Sequence, residues 1–286
     1  MLHAMQLSFF PPLLLPLFMP GTPIRVDEVS LVEAKKNGAI TISGQCLGGG
    51  AGDRISMQIT NLTGRVLHTT IPAGWLMQNS DPEAQDLMIV DHVPVQLAPY
   101  GTSRSACRAY CVESGDRSPQ EGTPFTSLGL ARSTWVELAE YLMKNTVDLD
   151  DAQAAVWAVT NEHDIATISA RNSNLRRFVA DLTGREVPWY SKTYAPPTEE
   201  GQVFSDAPTT VQGEVDFALN THGQVTALIH DDTGSLVYTI GKPRHLGPGT
   251  YTMEMSITVR GWHKGCYTIS YYLDDTRLLK RMPFTV

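Results

Sequence analysis

Four cysteines, one glutamine and one histidine are the side chains of this 286-residue sequence whose types and spacing could do chemistry. Cys46, Cys107, Cys111 and Cys266 lack the paired Cys-x-x-Cys spacing of a zinc site, and four are too few for a disulfide scaffold. A cysteine acts as a nucleophile only as its thiolate, with a base at hand. His163, flanked by Asn161 and Asp164, could supply that base to Cys111 in a Cys-His hydrolase, although no local protease signature surrounds it. The competing use of His163 is as a cation at a helix C-terminus. Gln153 stands out because it lies in a nearly all-apolar helical run, where an unpartnered amide is costly. Trp157 follows one turn later on the same face. The bland reading is a Gln bonded to a loop backbone and a Trp in plain core. An exported chain favours disulfides. Cys107 and Cys111 are four apart, too far along one strand to bridge, so Cys46 with Cys107 is the expected pair. That pairing leaves Cys111 free and Cys266 unpaired in a separate module.

The elements that must position these residues fall into two groups. From about 39 to 112 the chain alternates apolar and polar residues in short runs broken by Gly, Pro and Asn, as in Ile55-Ser56-Met57-Gln58-Ile59-Thr60, which predicts half-buried antiparallel strands. Three helices are expected next. One spans Thr134–Lys144 with apolar residues at 135, 138, 139 and 142. One runs from Ala152 behind Asp150 and Asp151, whose charge suits a helix N-terminus. One spans Ser173–Leu182 and stops at Gly184. Residues 191–208, with Pro196 and Pro197, read as a linker. From 209 to 286 strands recur at steady intervals between turn signals, the pattern of a small β-sandwich. The expected class is α+β: a β-rich domain over 24–190 with a helical insertion of about three helices, then an antiparallel Ig-like β-sandwich.

Composition narrows the function. The net charge is 22 − 30 = −8, which argues against a nucleic-acid partner. The apolar run Leu7–Met19, with three prolines, is too short for a membrane span and reads as the core of a signal peptide over 1–23. No Cys follows it to carry a lipid, and no later stretch reads as a transmembrane helix. Asp231-Asp232 and Asp274-Asp275 are turn acids without enough oxygen partners for a metal. Gly48-Gly49-Gly50 lacks the lysine and helix of a phosphate loop. No metal and no cofactor are expected.

Two resemblances sharpen this reading. Ala109-Tyr110-Cys111-Val112-Glu113, with Pro119 downstream, and Ala152-Gln153-Ala154-Ala155-Val156-Trp157 resemble the two motifs of the thioester domains of bacterial surface adhesins. Ala152 stands where that family has Thr, and Glu113 where it has Asp. The resemblance implies a thioester between Cys111 and Gln153, shielded from water by Trp157, that acylates an amine on a target surface protein or polymer. Residues 210–286 resemble the C-terminal sorting domains of the type IX secretion system, through Asp231–Ile240, Leu246–Met255, Gly265-Cys266-Tyr267 and a last strand carrying Lys280 and Arg281. This implies secretion machinery as a partner of that module. The combined expectation is an exported cell-surface protein for adhesion, covalent through Cys111 and Gln153 and single-turnover rather than enzymatic. A non-covalent surface protein and a cysteine hydrolase using Cys111 and His163 are the alternatives.

Overall fold

A computed structural model of the chain describes residues 26–48 and 53–286; the expected signal peptide over 1–23 lies outside them. The architecture is α+β, with 47% of the described residues in strands and 18% in helices.

The first half builds on nine strands and a short helix among the described residues: β1 (Val26–Glu28), α1 (Leu31–Lys36), β2 (Ile40–Cys46), β3 (Asp53–Asn61), β4 (Val66–Ile71), β5 (Trp75–Asn79), β6 (Leu87–Ile89), β7 (Val93–Leu97), β8 (Thr102–Cys111) and β9 (Pro124–Leu130). Six of these close into a barrel in the order β2-β3-β8-β6-β5-β9, and β1-β4-β7 form a small sheet. The alternation seen in sequence has a direct cause. Ile55, Met57 and Ile59 on β3 face inward with Trp75, Met77, Leu87, Phe125, Cys107 and Cys111, while polar neighbours face out. A Cβ at Gly44 would come within 2.7 Å of the Ile55 Cδ1 inside the barrel, so that side chain would have to shift to admit one.

One outer face of the barrel is not solvated. Met88, Tyr110 and Val112 point away from the interior and pack on α2 (Ser133–Lys144), α3 (Leu149–Thr160) and α4 (Ser173–Thr183). The carboxylate of Asp148 accepts from the Asp150 N–H and starts α3, with Asp150 and Asp151 in its first turn. The expected acids lie in the first turn, two and three residues after the cap, and the helix starts at Leu149, three residues before the expected Ala152. Gly184, at φ 67°, ends α4 in the left-handed conformation that Gly adopts without penalty.

The second half is β10 (Tyr190–Tyr194), β11 (Pro208–Leu219), β12 (Gly223–Asp231), β13 (Leu236–Leu246), β14 (Gly249–Thr258), β15 (Cys266–Leu273) and β16 (Arg277–Thr285). Sheets β10-β11-β14 and β13-β12-β15-β16 enclose one core that includes Val215, Ile229, Ile257, Ile269 and Phe284. The turn acids are structural. Asp274 and Asp275 take φ 49° and 58° between β15 and β16, and their carboxylates accept from the Gln224 N–H and the Thr226 hydroxyl. Among the described residues no group of three or more potential metal ligands occurs.

The stretch 191–208 begins as a strand. β10 pairs with β11 and so belongs to the sandwich. Ala166, from the turn after α3, is fully buried in the sandwich core. Lys192 reaches Asp164 at 2.8 Å, and the Thr285 hydroxyl donates to the same carboxylate. The halves are joined by packing and charge as well as by chain. No helix among the described residues is long and apolar enough to cross a membrane.

Candidate functional site

The site forms where β8 runs past its neighbour. The last described pair of β3 and β8 is Asp53 opposite Arg108, and among the described residues no strand pairs with the main chain of Cys111 on that edge. Its other edge is served by β6, with Leu87 opposite Cys111 and the Val112 N–H donating to the Asp86 carbonyl. Gln153 occupies the open edge. Its Oε1 accepts from the Cys111 N–H at 3.1 Å and its Nε2 donates to the Cys111 carbonyl at 2.8 Å. The carboxamide thus copies the two-bond exchange of an antiparallel residue pair. That explains how a Gln survives in an apolar helix face.

Asn161, the C-cap of α3, grips the chain beyond Cys111. Asn161 Oδ1 accepts from the Ser114 N–H at 3.1 Å. Trp157, between Gln153 and Asn161 on the helix, packs on the barrel core and lies beside the rings of His163 (5.9 Å) and Phe204 (5.8 Å). Its indole N–H is buried without a partner.

The Cys111 side chain is 2% exposed and turns into the end of the barrel. Arg54 meets it there: Nη1 donates to Sγ at 3.2 Å and Nη2 to the Ser118 hydroxyl at 3.4 Å. Burial pushes the Cys111 thiol up, Arg54 pulls it back, and neighbouring Cys46 and Glu113 add to the rise. Glu113 itself is raised by burial, although its carboxylate accepts from the Asp86 N–H at 3.0 Å. Arg54 was not expected from sequence, since one Arg opening an alternating strand reads as solvated.

Two expected constellations are not assembled. None of the four cysteines is in a disulfide; Cys266 is exposed and the others are buried. Cys46 and Cys107 both sit opposite Ile55, one on each side of β3. Two strand spacings put their Cα atoms roughly 9–10 Å apart, beyond the limit of about 7 Å for a bridge. The expected Cys46–Cys107 disulfide is therefore incorrect. His163 does not serve Cys111 either: its Nε2 is bonded to the Ser114 hydroxyl at 2.8 Å, and Asp164 is committed to Lys192. Burial lowers His163 from its ordinary value of 6.5, against the pull of Asp206.

A cavity of about 470 Å³ opens beside this site, lined by Ser114, His163, Tyr194, Phe204, Asp206 and Lys264 among others. Its wall is the stretch read as a linker. The Phe204 and His163 rings meet at 4.2 Å with their planes tilted by 43°, and the Ser118 N–H donates to the Gly201 carbonyl. Two aromatics, Tyr194 and Phe204, in a polar, Pro-rich stretch were the available signal for that docking.

No protein-family model and no curated protein matches the chain. Among solved structures it is similar to a β-glucuronidase of Bacteroides uniformis, at 10% identity and TM-score 0.24 over 83% of this chain and 26% of that one. A calcium-binding mutant of Bacteroides uniformis β-glucuronidase 2 gives 11% identity and TM-score 0.24 over 81% and 26%. A β-glucosidase from Kluyveromyces marxianus gives 12% and 0.21 over 81% and 44%. The chain thus spans about a quarter of the length of the Bacteroides enzymes. Likeness at these scores carries no argument about fold or activity.

Proposed function

We propose that the chain is an exported bacterial surface protein that adheres covalently, through an internal thioester between Cys111 and Gln153, to a protein or polymer bearing amines. The observation that carries this reading is the pair of hydrogen bonds, 3.1 and 2.8 Å, that hold the Gln153 carboxamide against Cys111. The two residues are 42 apart in sequence, and no local rule brings them together. A thioester needs a thiol beside a carboxamide where water is scarce. Cys111 is 2% exposed and Trp157 covers the next turn of helix, both in keeping with that need. The sandwich is read as the module that meets secretion machinery or the cell surface. Its shared core with Ala166 favours its retention in the working protein.

Intact mass tests the bond. The expected result is a loss of one ammonia, then on methylamine treatment a gain of one methylamine, with an N-methylamide on Gln153 and a free thiol appearing at Cys111. A full mass, unchanged by methylamine, removes the covalent reading. One observation favours a second reading, a non-covalent surface protein: both ends of the Gln153 amide are satisfied by main chain, which suffices for a structural role. In that case Cys111→Ala changes stability and leaves binding intact.

A further inference from the structure

Arg54 is a buried cation with too few partners. It is 6% exposed, its Nε has no hydrogen bond, and its two bonded nitrogens reach only the Cys111 sulfur and the Ser118 hydroxyl. Among the described residues no carboxylate pairs with it. Taking a guanidinium out of water is expensive unless charge meets it, and a serine hydroxyl brings none. The group it points at, the Cys111 sulfur, gains negative charge in the proposed reaction. Its position follows from register: β3 opens opposite Arg108, three residues before Cys111, so a long side chain at 54 reaches past the end of the pairing to the thiol.

We propose that Arg54 is a catalytic residue of the thioester chemistry, holding the Cys111 sulfur while it carries negative charge. The inference rests on the thioester reading above. In formation the sulfur attacks the Gln153 carbonyl carbon. An S–C bond forms, the C–N bond breaks, and the thiol proton leaves with the nitrogen as ammonia. In adhesion an amine attacks that carbon. A C–N bond forms, the C–S electron pair returns to sulfur, and the proton lost by the amine restores the thiol. Sulfur is anionic on the way into the first step and on the way out of the second, and at both moments Nη1 is the donor beside it. The forked guanidinium suits this role, since one arm anchors on Ser118 while the other serves the sulfur.

The test uses the full chain and its Arg54→Gln, Arg54→Met and Arg54→Lys variants, each checked for fold by circular dichroism. The rate of methylamine incorporation at Gln153 is followed by intact mass. After opening, the pH dependence of iodoacetamide labelling at Cys111 is read by peptide mass. Loss of a hydrogen bond to a charged group predicts a rate about ten- to a hundredfold lower in the neutral variants. It also predicts a Cys111 labelling curve moved to higher pH. Arg54→Lys, which keeps the charge, should react faster than either. A folded neutral variant that reacts at the wild-type rate overturns the role of Arg54 and leaves the thioester standing. So does a folded Arg54→Lys no faster than the neutral pair. If neither neutral variant folds, Arg54→Lys decides alone: a rate near wild type supports the role and a lost rate overturns it. Wild-type protein with no loss of ammonia fails earlier, at the thioester itself, and takes this role with it.

Discussion

Gln153 divides its carboxamide between the N–H and the carbonyl of one residue, Cys111, and this makes its substitution informative in two ways. Gln153→Ala leaves two main-chain groups at the end of β8 without protein partners, and the expected loss is about 1–3 kcal/mol in chemical denaturation. The same variant should show the full mass predicted for its sequence in a chain whose wild type lacks one ammonia. Trp157→Ala addresses the shield rather than the bond. Opening that face to water should shorten the lifetime of the thioester in neutral buffer by about tenfold or more, followed by the appearance of free thiol. An unchanged lifetime would mean the indole is ordinary core. His163 offers a pH readout. Its folded value lies below the ordinary 6.5, so its contribution to stability is complete above that value and is lost as pH falls through the folded one. Asp86 and Glu113 are raised by burial and act in the opposite sense at lower pH. The measurement is therefore a difference: His163→Asn should remove the decline in melting temperature seen in the wild type just below pH 6.5. A variant that declines in parallel with the wild type would exclude His163 as its source.

At the scale of elements, α3 and its C-cap act as a clamp: Gln153 takes two main-chain groups of Cys111 and Asn161 takes the Ser114 N–H. β10 acts as a tie. Burial pushes Asp164 up, but the Lys192 ammonium, the Ala166 N–H and the Thr285 hydroxyl outweigh it and hold the carboxyl below its ordinary 3.8. That sign means stability present above the ordinary value and lost as pH falls through the folded one. Lys192 has a side chain only 6% exposed while Asp164 is 29% exposed, so the pair is buried on one side and wet on the other. Lys192→Met should cost about 2 kcal/mol, less than a fully buried pair would, because Asp164 keeps some water. The double variant with Asp164→Asn should recover part of that loss in the same denaturation experiment.

For the molecule as a whole, the question is whether the halves are separable. The stretch 198–201 is exposed, whereas β10 before it is held in the sandwich. A protease cutting after Glu199 or Glu200 should therefore yield two fragments that still migrate together in native gel filtration. β10 keeps its pairing with β11, and Ala166 keeps its place in the sandwich core. Fragments that elute separately would show that the tie is weak and would favour a detachable C-terminal module. The acidic net charge of −8 bears on partners rather than on this tie.

Much of the architecture was legible before any coordinates. Period-two runs such as 55–60 mark the barrel strands, acids and glycine bracket α3 and α4, and regular turn signals mark the sandwich, because burial of one face imposes these periods locally. The closeness of Cys111 and Gln153 was expected only through a resemblance of short motifs. What tertiary structure alone decided is everything that depends on which strands are neighbours. β3 lies between β2 and β8, which separates Cys46 from Cys107; β3 also begins late, which frees the edge that Gln153 fills and lets Arg54 reach the sulfur. Strand order and register are set by contacts between residues far apart in the chain, so the types and spacing of residues along it carry no direct record of them.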